Sequence, residues 1–352
     1  MKVYFTLSMQ RGCYYVRCMI PMIEAGWNGD MSSLERFNYT GESMAQACLD
    51  SDVVVFHRPN DDRALEIAKL LRAQGKKIVM DSDDTYKDID GHKWGRILRK
   101  VDKALDEFGK FADVITCTTE FLAKEYRELN KNVVVLPNCV DPEAWPDPER
   151  NEGEKVRIGL VGSVAYETNF ETFAPVLREL ANRPDVQLVL LGLPARTKET
   201  EKVVVPAHKK DYDFWESLPN IEWTPLVDMK DYFDTLNDLK LDLMLIPRAD
   251  RYFNRCKSNL KFLEASMLEI PVIAQGFTSN DSPYQQNPED SKRMVIATHP
   301  EDWMPAIERM VADKEMRRDI GRRAREYVIE NYSISKHIEK WESAYLKLLE
   351  KQ

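Results

Sequence analysis

The sequence of 352 residues lacks any apolar run of the roughly 18 residues that a transmembrane helix needs. Its first apolar run, residues 3–7, is too short for a secretory signal, so we expect a cytoplasmic protein. It also lacks an excess of basic residues: 50 Lys and Arg stand against 59 Asp and Glu, a net charge of −9 that argues against nucleic acid as a partner. The six cysteines form no C-x-x-C pair and predict reduced core thiols, not a disulfide framework or a zinc site.

Common nucleotide-binding and hydrolase signatures are missing as well. The sequence has no G-x-x-x-x-G-K-[ST] phosphate loop and no G-x-S-x-G nucleophile turn. Gly159 and Gly162 are not joined by a third glycine at the spacing of a dinucleotide fingerprint. These absences argue against a P-loop NTPase, an α/β-hydrolase and a dehydrogenase.

Short β-branched runs alternate with longer amphipathic stretches along the whole chain, which predicts doubly wound α/β domains with parallel sheets. Strands are predicted at residues 2–7, 53–57, 77–81, 114–117, 133–136, 156–161, 187–191, 221–223, 242–246, 271–274 and 293–296. A proline-rich polar segment at 137–154 interrupts the series and is typical of an interdomain linker. We therefore expect two domains, 1–145 and 146–332, with ligands bound beyond the carboxyl ends of the strands.

A basic cluster at residues 247–264 is the most informative segment, because it holds five basic residues and one acidic residue before Glu264. The cluster follows a predicted strand and opens a predicted helix, with Ser258 as its N-cap, and a helix N-terminus beside lysines suits an anion. Lys261 and Glu264 share a helix face. We expect a phosphate at the helix start with Lys257 or Lys261, and ribose hydroxyls on Glu264. A solvated loop with a Lys261–Glu264 surface salt bridge is the alternative.

Five segments resemble retaining GT-B glycosyltransferases, in particular glycosyltransferase family 4 (glycosyl transferases group 1). Residues 257–265 with 270–274 are similar to the family's donor-site helix and strand. The other similar segments are 112–122 (the last crossover of the N-terminal domain), 136–141 (the "PNGVD" interdomain segment), 156–163 (the first strand and glycine turn of the nucleotide domain) and the final helix. The resemblance implies two Rossmann-like domains facing a central cleft, with residues 333–352 packing back on the N-terminal domain.

The resemblance also implies an activity. It implies transfer of a sugar from a UDP-sugar or GDP-sugar to an acceptor hydroxyl with retention, on a cell-surface or lipid-linked glycan. It implies no required cofactor, with Mg or Mn possible but not expected. The alternatives are a nucleotide-sugar epimerase of the same fold, a glycosyltransferase acting on a modified nucleic-acid base, and a non-catalytic nucleotide-sugar-binding protein. A basic stripe at residues 317–325 on a late predicted helix is interleaved with Asp319, which indicates a solvated face, and contact with anionic lipid headgroups is the alternative.

Site residues follow from matching the motifs. The residues expected to bind the donor are Gly162, Ser163, Arg255, Lys257, Ser258, Asn259, Lys261 and Glu264. Lys257 stands where the common pattern has an acidic residue, and the pair Glu269-Ile270 replaces a usual glycine. No cation follows Ser163 in residues 164–169, which moves neutralisation of the diphosphate onto Arg255, Lys257 and Lys261.

An acidic cluster at 81–84 places three carboxylates at the carboxyl end of a predicted strand. One interpretation is a D-x-D motif, Asp81-Ser82-Asp83, that binds Mn²⁺ or Mg²⁺ with a nucleotide-sugar. We favour the other, an acidic loop facing the cleft that resembles the "DxDD" run of some relatives. On that interpretation Asp83 or Asp84 contacts the transferred sugar or orients the acceptor hydroxyl, and the catalytic residues are Asp83, Asp84 and Lys257.

Four further residues are expected on the acceptor or sugar side. Gly12, Tyr14 and Arg17 lie on the glycine-containing turn and helix after the first strand, and His57 ends the strand 53–57. The alternative for Arg17 is a pair with an acidic neighbour, and the alternative for His57 is a structural role.

Overall fold

The computed structural model describes residues 1–6, 12–29, 41–87, 95–162, 173–192, 209–285 and 292–350. The chain divides into two compact units, of which the first comprises Met1–Asp141, Arg251–Ser258 and Asn331–Gln352. The second comprises Pro142–Asp250 and Asn259–Glu330. No helix within the described residues is long and apolar enough to cross a membrane.

The elements alternate along the chain as the sequence predicts. The strands are β1 (Val3–Thr6), β2 (Asn28–Gly29), β3 (Val53–His57), β4 (Lys77–Ser82), β5 (Val114–Cys117), β6 (Val133–Val135), β7 (Val156–Val161), β8 (Val186–Leu191), β9 (Ile221–Thr224), β10 (Leu243–Ile246), β11 (Val272–Gln275) and β12 (Val295–Ala297). The helices are α1 (Gly12–Tyr14), α2 (Ile20–Glu24), α3 (Gly41–Asp50), α4 (Asp62–Ala73), α5 (Gly95–Phe111), α6 (Glu120–Arg127), α7 (Ala174–Asn182), α8 (Lys209–Glu216), α9 (Met229–Asp238), α10 (Tyr252–Arg255), α11 (Leu260–Met267), α12 (Trp303–Ala312), α13 (Lys314–Tyr332) and α14 (Ile338–Glu350). A π-helical segment, Tyr15–Met19, joins α1 to α2.

The first unit is built on a six-stranded parallel sheet in the order β2-β1-β3-β4-β5-β6. Strands β3 and β5 are buried along their whole length, which is why they are nearly continuous apolar runs in the sequence. The five strands predicted for this part of the chain are present. β2 was missed, since two residues are too few to show a period.

Helix ends in this unit carry the residues that such ends favour. Gly26 and Gly75 have φ of 64° and 78°, the left-handed conformation that glycine allows after a helix. The Thr119 hydroxyl accepts a hydrogen bond of 3.2 Å from the backbone N–H of Leu122 and so caps α6.

Two segments distant in sequence complete the first unit. Residues 251–258 carry α10, and Cys256 lies in the apolar cluster of this unit. The terminal helix α14 buries Trp341 and Tyr345, and the ring of Tyr345 lies 5.4 Å from that of Trp27. All six cysteines are free thiols and five are buried, as the absence of a C-x-x-C pair indicated.

The second unit has a six-stranded parallel sheet in the order β12-β11-β10-β7-β8-β9. The strand order reverses between β10 and β7, and open sheets of this type bind ligands at such a point. Helix α7 buries Leu177 and Leu180 against the core, with Phe173 just before it, at the spacing of one apolar helix face.

Candidate active site

Polar side chains of the first unit gather where β3 and β4 end. His57 pairs in register with Asp81, because the two strands are adjacent and parallel. Arg58 follows β3, and Asp83 and Asp84 follow β4. The carboxyl ends of these strands therefore bring together residues that are more than 20 positions apart in sequence.

Asp81 is fully buried and has a complete set of partners. Its Oδ1 accepts hydrogen bonds from Arg17 Nη2 and the Thr116 hydroxyl, both at 2.6 Å. Its Oδ2 lies 3.1 Å from Arg17 Nε and 3.0 Å from His57 Nδ1. Burial alone would raise the pKa of Asp81, but Arg17 and the hydrogen bond with His57 outweigh it and lower the pKa to about 2.

Arg17 is fully buried in the π-helical segment. Besides Asp81, it donates from Nη1 to the backbone oxygen of Leu136 at 2.5 Å, and its guanidinium lies 4.7 Å from the centre of the Trp341 ring. Burial alone would lower its pKa, but Asp81 raises it above the ordinary value. The expected contact with an acceptor or sugar therefore needs correcting. Arg17 is sealed from solvent, and the alternative, a pair with an acidic neighbour, is the arrangement found.

Arg58 bridges the two carboxylates that follow β4. Its Nε donates to Asp83 and its Nη2 donates to Asp84 Oδ2 at 2.6 Å. Burial is the largest single effect and raises the pKa of Asp83, but Arg58, His57 and Lys257 together outweigh it and hold the pKa well below the usual value. Arg58 was not assigned to the site from the sequence. Its φ of 47°, rare for a residue other than glycine, is the structural sign of a constrained position.

Lys257 reaches the same group from residues 251–258. Its Nζ donates to Asp84 Oδ1 and lies 4.3 Å from the centre of the Phe253 ring. The hydroxyl of Tyr252 donates to Glu125 Oε2 at 3.0 Å, which holds this segment on α6. Asp84 thus lies between two cations, Arg58 and Lys257.

Ser258 is not the N-cap that the sequence predicted. Helix α11 begins at Leu260, and its N-cap is Asn259, without a side-chain capping bond. The Ser258 hydroxyl instead accepts a hydrogen bond of 2.8 Å from the amide of Asn138. Its oxygen is therefore used to hold the segment next to Asn138, within the first unit.

The acidic run has the wrong partners for a D-x-D metal site. Asp81 is surrounded by Arg17, His57 and Thr116, and Asp83 is paired with Arg58. Within the described residues, no group of three His, Cys, Asp or Glu side chains is arranged to hold a metal ion. The cations already present balance these carboxylates, which favours the second interpretation of the run.

The second unit carries a smaller polar cluster at the start of α11. Lys261 Nζ donates to Glu264 Oε2 at 2.7 Å and lies 3.0 Å from the hydroxyl oxygen of Tyr232 on α9. That hydroxyl donates to the same Glu264 oxygen at 2.7 Å. Burial, followed by Glu264, raises the pKa of Tyr232, so its hydroxyl stays protonated as a donor. Oε1 of Glu264 accepts no hydrogen bond from the described residues.

The remaining predicted residues lie around these two clusters. Tyr14 is buried, and its ring meets that of His57 edge-on at 6.1 Å. Gly12 begins α1 and is half-buried, as is Arg255 at the end of α10. Gly162 follows β7. A Cβ atom at position 192 would lie 2.3 Å from the carbonyl oxygen of Gly162, so Gly192 allows this close approach. Ser163 lies outside the described residues.

Known proteins share this architecture. Residues 172–343, slightly less than half of the chain, match the family model described as glycosyl transferase-like. No curated protein matches the sequence. Among solved structures, sucrose-phosphate synthase from Thermosynechococcus elongatus has 14% identity and a TM-score of 0.68 over 100% of both chains. A glycosyltransferase from Rickettsia africae has 13% identity and a TM-score of 0.65 over 100% of this chain and 99% of its own.

TarM, a longer protein, is also similar. It has 14% identity and a TM-score of 0.62, and the match covers 86% of this chain but only 58% of TarM. At such identities the likeness to solved structures establishes the fold. The predicted GT-B architecture is thereby confirmed, and the match of residues 172–343 to the glycosyl transferase-like model supports a transferase.

Proposed function

We propose that this protein is a glycosyltransferase that uses a nucleoside diphosphate sugar as donor and binds the nucleotide with its second unit. The sugar is transferred with retention to a hydroxyl of a cell-surface or lipid-linked glycan. One observation carries the assignment of the nucleotide: the cluster of Tyr232, Lys261 and Glu264 at the start of α11. This helix follows β10, beside the point where the strand order reverses.

Glu264 suits ribose hydroxyls, because only one of its two oxygens is occupied. Oε2 accepts from Lys261 and Tyr232, which fixes the carboxylate, while Oε1 accepts nothing within the described part of the chain. An ionised carboxylate accepts strong hydrogen bonds from hydroxyl groups. Lys261, next to the N-terminus of α11, supplies positive charge for the diphosphate.

In the first unit, we assign the chemistry to Asp83, Asp84 and Lys257, with Arg58 as the residue that positions both carboxylates. Because Asp83 has a lowered pKa, it is ionised at neutral pH and accepts hydrogen bonds from a sugar or acceptor hydroxyl. It does not serve as a general acid. Lys257 stabilises the negative charge of the departing diphosphate, a contact of the kind that contributes on the order of 10²-fold in rate.

A divalent cation is not needed in this scheme, since Lys257 and Lys261 supply the positive charge that a metal would otherwise bring. UDP is the first nucleotide to examine, because a solved structure of the similar protein TarM contains UDP together with alpha-GlcNAc-glycerol. The glycan acceptor proposed here rests on the resemblance stated from the sequence motifs.

The test is a thermal-shift panel of UDP, GDP, ADP, dTDP and NAD(H), each with and without Mn²⁺. A ligand at 100 times its dissociation constant adds about 2.7 kcal/mol of stability. We expect one nucleoside diphosphate to stabilise the protein without metal, and we expect Glu264→Gln to lose most of that shift. Stabilisation only with Mn²⁺ would contradict the metal-independent scheme, and no response to any nucleotide would contradict the donor assignment. Transfer to an added acceptor, with no release of an epimerised sugar, separates a transferase from an epimerase.

A further inference from the structure

A small open pocket lies at the amino edge of the second sheet, opposite the proposed nucleotide cluster. Asp242 and Pro271 line it and directly precede β10 and β11. The pocket is open to solvent, so a ligand can reach its lining without entering an enclosed cavity. Helix α11 separates the pocket from the nucleotide cluster. Lys261 of the cluster lies near the start of the helix, and Glu269, which lines the pocket, lies just past its end.

The lining carries more positive than negative charge. Its cations are Arg150, Lys314, Arg317 and Arg318, and its acids are Asp242 and Glu269. Three of the four cations occupy positions i, i+3 and i+4 of the first turns of α13, so they share one face of that helix. The N-terminus of α13, a helix of 19 residues, adds partial positive charge on the same side. The excess of positive charge is notable in a protein whose net charge is −9.

Arg317 is the strongest indication of a ligand. Its side chain is 8% exposed, and Nη1 donates to the backbone oxygens of Met310 and Val311 at 2.5 and 2.8 Å. Nη2 makes no hydrogen bond within the described residues; Asp242 Oδ1 lies 3.9 Å from it, too far for one. Burial lowers the pKa of Arg317, and Asp242 offsets only part of that effect. Nη2 of Arg317 therefore keeps donors that are available to an acceptor in the pocket.

The acids that line the pocket do not cancel this charge. Glu269 is shared by two guanidinium groups, since it pairs with Arg150 through Oε2 and lies 3.6 Å from Arg325 through Oε1. Oδ2 of Asp242 accepts hydrogen bonds from the Asn151 amide and the Arg157 backbone at 2.6 and 2.9 Å. The side chain of Lys314 makes no ion pair or hydrogen bond within the part of the chain that the structure describes.

We propose that this pocket, lined by Arg150, Lys314, Arg317 and Arg318, is a second anion site that binds a phosphate group, apart from the nucleotide cluster. Nη2 of Arg317 donates to a phosphate oxygen, and Lys314 and Arg318 neutralise the charge at the open side. The phosphate belongs either to a small free ligand or to the headgroup of an anionic lipid. These two sources present the same chemistry to the pocket.

The experiment uses the full-length protein and two matched charge reversals on one helix. Lys314→Glu/Arg318→Glu changes the pocket, and Arg322→Glu/Arg323→Glu makes the same change in charge at exposed positions of α13 that do not line it. Arg317 is left intact, because its Nη1 supports the end of α12. Inorganic phosphate binding is measured by calorimetry against chloride at equal ionic strength. Flotation with vesicles of phosphatidylglycerol and phosphatidylcholine is compared with phosphatidylcholine alone.

We expect the pocket reversal to weaken binding by about tenfold or more, and the control reversal to leave it nearly unchanged. If inorganic phosphate binds and the pocket reversal alone weakens it, the ligand is a small phosphate compound. If only vesicle flotation is observed and the pocket reversal alone weakens it, the ligand is a lipid headgroup. Either result supports the site. Equal losses in both reversals would show a general charge effect and overturn the proposal. So would a loss caused by Lys261→Met instead, or no binding of either probe by the unmodified protein.

Discussion

The carboxylates Asp81 and Glu264, one in each unit, are both buried but differ in how many partners they have. Asp81 uses both oxygens on Arg17, His57 and Thr116. Glu264 uses one oxygen on Lys261 and Tyr232 and keeps the other open. A carboxylate with hydrogen bonds to both oxygens stabilises the fold. One with a free oxygen can still accept a hydrogen bond from a ligand. We therefore expect Asp81 to contribute to stability and Glu264 to contribute to binding of the proposed nucleotide.

The largest expected effect is on the stability of the first unit. Asp81→Asn leaves the buried Arg17 without its counter-charge, and breaking such a pair lowers the free energy of unfolding by about 3–5 kcal/mol. Glu264→Gln, the same chemical change in the second unit, should cost much less. Urea unfolding of the two variants makes the comparison. Equal losses would show that the two carboxylates do not differ as argued.

Next in size is the rate effect of Lys257. Lys257→Ala should lower kcat on the order of 10²-fold, because it removes a cation from the departing diphosphate, while the unfolding midpoint changes little. Lys103→Ala is the control, since that side chain is 79% exposed on α5. Turnover is measured with whichever nucleotide sugar the thermal-shift panel selects. Unchanged kinetics in Lys257→Ala would remove it from the catalytic residues.

A smaller effect is expected in the pH dependence of the free energy of unfolding, to which Asp81 contributes. Its pKa is about 2 in the folded protein, against an ordinary value of 3.8, so its stabilisation is complete above about pH 4 and is lost as the pH falls through 2. That contribution is about 2 kcal/mol. The stability difference between the unmodified protein and Asp81→Asn should shrink by this amount between neutral pH and about pH 2. A difference that does not vary with pH would contradict it.

The smallest effect sharpens the assignment of Glu264. Glu264→Gln should raise the dissociation constant for the nucleoside diphosphate about tenfold, because a neutral amide accepts weaker hydrogen bonds from ribose. Turnover at saturating donor should change little. Calorimetry and steady-state kinetics together decide the point. A fall in kcat with unchanged affinity would place Glu264 in the chemical step.

Much of the site was predictable, and the failures have a physical pattern. The carboxyl ends of strands located His57, Asp81, Asp83 and Asp84, because a parallel sheet always presents these ends together. Arg58 was missed, since no local spacing shows that a residue after one strand bridges two carboxylates after the next. The predicted cap at Ser258 was wrong, because its hydroxyl is used by Asn138, a residue 120 positions away.

The sequence by itself determined the two parallel sheets, because burial of a strand and of a helix face leaves a short-range period in the chain. Only the tertiary structure decided which charged side chains form buried ion pairs and which keep a donor or acceptor for a ligand. Arg17 and Asp81 are 64 positions apart, and Asp84 and Lys257 are 173 apart. Electrostatic partners of this kind depend on distance in space and on exclusion of water, and neither leaves a pattern along the chain.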